Sequence, residues 1–71
     1  MNMQTLIFNS TTKSVQLLSG SRGDSKILET FDNVPTVKVE NGYYEVMQKN
    51  DEKTIPVLRV PISNTNMLIQ K

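Results

Sequence analysis

Hydrophobic and polar positions in this chain alternate in short bursts, and turn-forming residues break the bursts every 8–12 residues or so. The runs QTLIF (4–8), SVQLL (14–18), KILETF (26–31), VKVENGYYEV (37–46) and TIPVLRVPI (54–62) are rich in Val, Ile, Leu, Thr and Tyr. Alanine is absent, and no long window sustains the i, i+3, i+4 spacing of an amphipathic helix. The pattern predicts an all-β or mainly β protein of 5–7 short strands, arranged as a small antiparallel barrel or a compact sandwich.

One turn fixes a register. Asn41-Gly42 is the favoured pair for a two-residue type I′ hairpin, because both central residues need positive φ. Centring the turn there places Glu40 opposite Tyr43, Val39 opposite Tyr44, Lys38 opposite Glu45 and Val37 opposite Val46. One face then holds Val37, Val39, Tyr44 and Val46, and the other sets Lys38 against Glu45 as a cross-strand ion pair. A slip of one residue would destroy both patterns. Tyr43 and Tyr44 therefore point to opposite faces. One belongs to the core and the other to the surface.

The remaining segments follow from turn chemistry. Asn, Ser and Thr at 9–12 bond local backbone readily and join 4–8 to 14–18 as an N-terminal hairpin. Residues 19–25, SGSRGDS, are glycine-rich and polar, the composition of a mobile loop. Residues 26–31 fit a short strand or a helical turn, and Pro35 biases Val34 towards extended backbone. The KNDEK segment (49–53) turns the chain into 54–62, which is apolar on both faces yet carries Pro56 and Pro61. Proline cannot donate to a ladder, so this segment is an edge strand, or one whose affected nitrogens point outward. Residues 66–70 form a last strand in preference to a short helix capped by Ser63.

Length makes this a single domain spanning 1–71, near the lower limit for a core that folds unaided. Such small domains lean on disulfides, metals or partner chains. The sequence contains no cysteine and no histidine, which removes disulfides, thiolates and imidazole ligands. Self-association is the staple that remains. An apolar edge at 55–62 supplies a surface for it: Ile55, Val57, Leu58, Arg59, Val60 and Ile62 are the candidate protein interface. Arg59 interrupts that run, and arginine is enriched at interface hot spots. Met47 and Met67 read as adaptable core filler.

Chemistry is sparse. Without His or Cys, general acid–base work falls to carboxylates, and the only adjacent pair, Asp51-Glu52, sits in a turn. No phosphate loop, nucleophile elbow or calcium loop occurs. No catalytic residue, metal ligand or cofactor is assigned, and an enzyme is not expected. The RGD tripeptide at 22–24 and the NST sequon at 9–11 are short enough to arise by chance. Both matter only in a secreted protein, and the first residues lack the basic n-region of a signal peptide. A cytoplasmic location follows, without a membrane partner.

Eight basic and seven acidic residues give a net charge of +1, too balanced to imply nucleic acid. The favoured reading is a non-catalytic protein-binding module that forms a homodimer or larger oligomer and engages a further protein partner. The Asn- and Lys-rich, alanine-free composition fits an accessory protein or inhibitor from a phage or mobile element. Two other readings stand beside it. One is a small barrel that binds single-stranded nucleic acid through Tyr43, Lys38, Lys49 and Arg59. The other is a structural component of a larger assembly such as a virion.

Overall fold

A computed structural model describes residues 3–20 and 26–71. The chain folds as seven strands and one 3-10 turn: β1 Gln4–Asn9, β2 Ser14–Ser19, β3 Ile27–Phe31, β4 Thr36–Glu40, β5 Tyr43–Asn50, β6 Lys53–Pro61, the turn Ile62–Asn64, and β7 Thr65–Gln70. Two sheets result, one ordered β3-β2-β1-β7 and the other β4-β5-β6. No ladder joins one sheet to the other among the described residues, so the architecture is a sandwich and not a closed barrel.

The predicted hairpins form. Asn9 Oδ1 accepts the backbone N–H of Thr11 and of Thr12, each at 3.0 Å, and this Asx turn folds β1 back onto β2. Asn41 and Gly42 adopt φ of 52° and 80°, the left-handed pair a type I′ turn demands. The β4–β5 register is the one Asn41-Gly42 dictates, from Glu40↔Tyr43 to Thr36↔Met47. A second two-residue turn, Asp51-Glu52 with Asp51 at φ 56°, links β5 to β6.

The core draws on both sheets. Leu6, Val15 and Leu17 from the larger sheet meet Val46 and Val60 from the smaller, with Phe8, Phe31, Val37, Tyr44 and Met67 packed around them. Val34 joins this cluster although it lies in the β3–β4 link, where its N–H donates to the Lys13 carbonyl at 2.8 Å. The same link is tied to β5, since Lys49 N–H donates to the Asn33 carbonyl. Connection and core are one structure here.

Two expectations about the fold are corrected. The fold is not purely antiparallel: β7 runs parallel to β1, pairing Gln4↔Thr65 through Asn9↔Gln70. Thr65 anchors its start by donating through Oγ1 to the Pro61 carbonyl while accepting from Gln4 Nε2. Val39, placed on the apolar face by register, is 66% exposed: it lies on the edge strand of its sheet, while Tyr44 and Val60 in the same cross-strand row pack into the core. The last strand expected at 66–70 forms as β7, entered through the 3-10 turn that holds Ser63. At the start of the 19–25 loop, Ser19 N–H donates to the Lys26 carbonyl, and Gly20 N–H to that of Met3. Residues 21–25, including the RGD tripeptide, lie outside the described residues.

Candidate functional site

The predicted interface residues come from β6 and the turn after it, and the structure divides them between two faces. A register shift between Val46 and Met47 leaves Val57 and Leu58 together opposite Val46. Such a bulge turns two successive side chains towards one face, and both pack against the core. Val60 is buried at 4% exposure, and Ile62 is half-buried. Of the six residues, Ile55 and Arg59 are the exposed ones.

The orientation of β6 follows from one hydrogen bond. Ile62 N–H donates to the Gly42 carbonyl at 2.9 Å. Hydrogen-bonded and non-bonded positions alternate along an antiparallel ladder, so the neighbouring pair Tyr43↔Pro61 is non-bonded. The nitrogen of Pro61 thus points to the free edge. Pro56 lies five residues earlier, but the bulge absorbs one, and Pro56 points the same way. Both prolines remove a donor from the free edge and none from the ladder.

The same alternation decides the partner of Glu45. Its pair with Arg59 is non-bonded and its pair with Lys38 hydrogen-bonded. Side chains stand closer at non-bonded pairs. The ion pair expected with Lys38 is accordingly made with Arg59. Arg59 Nη2 and Nε donate to Glu45 Oε2 at 2.7 and 3.2 Å. The Glu45 side chain is 9% exposed and that of Arg59 63%. On its other flank the guanidinium lies 5.7 Å from the Tyr43 ring centroid, within cation–π range. The hydrogen bond to Glu45 and then its charge raise the Arg59 pKa above its ordinary value, with smaller help from Glu40 and Tyr43 against desolvation. Arg59 remains charged at any working pH.

A shallow groove of about 300 Å³ runs beside this constellation, lined by Glu45, Pro56, Val57, Leu58 and Arg59. A second depression, about 310 Å³, lies at the far end of β5 between Lys13, Asn33, Pro35, Lys49 and Asp51. Three of its residues, Lys13, Asn33 and Asp51, hold left-handed backbone at φ 56–57°. Each serves a turn or link already described.

The four residues of the nucleic-acid reading, Tyr43, Lys38, Lys49 and Arg59, share the outer face of the smaller sheet by register. Glu40 and Glu45 stand among them, and Arg59 is already engaged with both Glu45 and Tyr43. A basic groove with a bare stacking ring is therefore not what the face presents. Among the described residues no group of three potential metal-ligating carboxylates gathers, and no helix is long and apolar enough to cross a membrane. Sequence reasoning missed the contribution of Tyr43 and Glu45 to the Arg59 site. The signal was present in the alternation of bonded and non-bonded pairs, once the strand after the Asp51-Glu52 turn is put in register. Comparison with protein-family models, curated proteins and solved structures finds no match for the chain.

Proposed function

We propose that this chain is a small non-catalytic protein-binding module whose contact face is the outer face of β5 and β6. The observation that carries this reading is the exposed Arg59 guanidinium, fixed between the Glu45 carboxylate and the Tyr43 ring beside the groove. A guanidinium already held from two sides loses little rotamer freedom on binding, which lowers the entropic cost of an interface. Tyrosine and arginine are the residue types that dominate interface energetics. Exposed Pro56 stands at the groove next to them, which Val57 and Leu58 also line as half-buried residues. A partner segment with a carboxylate or backbone carbonyl near a small apolar side chain fits this arrangement.

The test is affinity capture from a host lysate with the wild-type chain, Tyr43→Ala, Arg59→Ala and a remote control, Lys26→Ala. A protein retained by wild type and control but lost from both site variants supports the reading. Identical capture by all four chains overturns it. Retention of an oligonucleotide, with affinity falling steeply in salt, would replace it by the single-strand reading.

A further inference from the structure

We propose that β4 pairs antiparallel with β4 of a second copy, joining two three-stranded sheets into one six-stranded sheet. The proposal gives a surface to the self-association in the protein-binding reading and uses an edge distinct from the Tyr43–Arg59 groove. A two-residue hairpin closes on a hydrogen-bonded pair, here Glu40↔Tyr43. Alternation then directs the backbone of Thr36, Lys38 and Glu40 towards β5, and that of Val37 and Val39 towards the free edge. β4 is the end strand of its sheet, and no residue within it is a proline.

The other edges are guarded or carry no register. β6 presents Pro56 and Pro61 outward, and β3 is kinked by the irregularity opposite Leu17 and Leu18. β7 contains no charged residue to select an alignment. β4 does select one. Aligning Val39 with Val39 of the second copy sets Lys38 of each copy against Glu40 of the other, two opposite-charge pairs across the two-fold axis. Both aligned Val39 residues have outward backbone, so they exchange two hydrogen bonds. Their side chains, 66% exposed in the monomer, meet on one face. Shifting one copy by one residue sets outward backbone against inward backbone, and shifting it by two opposes Lys38 to Lys38 or Glu40 to Glu40, which like-charge repulsion disfavours. The pattern Lys-Val-Glu is complementary to itself only in the Val39-centred register.

Two short strands bury less than the area of a standard stable interface, so the dimer is weak and concentration-dependent. Sedimentation velocity on the full chain from about 10 µM to about 1 mM should show monomer converting to dimer. Lys38→Glu and Glu40→Lys should each raise the dissociation constant about tenfold, because two attractive pairs become repulsive. The double variant Lys38→Glu/Glu40→Lys should restore dimerisation. Val39→Pro should abolish it, since only an outward donor is lost and β6 already tolerates outward prolines. Circular dichroism melting identifies any variant that fails to fold, and the charge-swap pair tests the register independently of the proline variant. Arg59→Ala should leave dimerisation unchanged, which separates this surface from the groove. A monomer at every concentration overturns the proposal, as does a dimer that persists in folded Val39→Pro or is not rescued by the double swap.

Discussion

Two valines show at the level of single residues what the alternating pattern conveys and what it does not. Val39 follows the apolar rhythm of β4 and is 66% exposed, whereas Val34 follows no rhythm and is fully buried. Burial depends on a residue's place in the assembled fold, and nothing local in the sequence encodes that. Val34→Ala should therefore destabilise the fold by about 2 kcal/mol, the scale of losing a fully buried valine side chain. Val39→Ala should stay within about 0.5 kcal/mol, as ordinary surface substitutions do. Chemical denaturation of both variants at low concentration, where the monomer dominates, checks the contrast. Gly42 makes a different point. A Cβ there would meet nothing within 4 Å, but φ is +80°. Gly42→Ala should cost about 1–2 kcal/mol from left-handed strain alone, with no steric contribution. The same denaturation measurement reads it.

Strands were legible in the sequence wherever a turn marked them. Asn41-Gly42 gave the β4–β5 pairing residue for residue, and the Asn9 turn marked β1 and β2 as a hairpin without setting its register. The bulge that seats Val57 and Leu58 together was not legible, since it depends on how β6 fits β5 and carries no glycine signal. It converts an odd separation between two prolines into an even one, and so leaves both nitrogens facing outward. This arrangement protects the edge instead of opening it. Residues 55–62 looked like an interface because they are apolar on both faces, yet one face feeds the core and the backbone edge lacks two donors. Pro56→Ala/Pro61→Ala should return those donors. The double variant is expected to aggregate faster on mild heating, as followed by light scattering. Its thermodynamic stability should fall by about 1–2 kcal/mol through greater freedom of the unfolded chain. Equal aggregation rates would show that side chains, not prolines, guard β6.

At the scale of the whole molecule, the ends of the chain hold the larger sheet together. β7 pairs in parallel with β1 across 61 residues of separation, as the contact between Gln4 and Thr65 records. Parallel pairing has no turn signature and needs a long crossover. That is why residues 66–70 read only as a strand without an address. The pairing covers one side of β1 and brings Met67 to the core beside Leu6, which is fully buried. Removing residues 65–71 would expose one side of the β1 ladder and take away part of the core lining. In a domain this small, where a single core supplies roughly 3–5 kcal/mol, no reserve absorbs that loss. The chain cut after Asn64 is therefore expected to lose cooperative thermal unfolding and dispersed amide resonances. Adding residues 65–71 back as a separate peptide should restore part of both, because the deficit is a missing strand and not a damaged one. A truncated chain that still melts cooperatively would mean that the remaining hairpins and the β3–β4 link, anchored by Val34, suffice to define the fold.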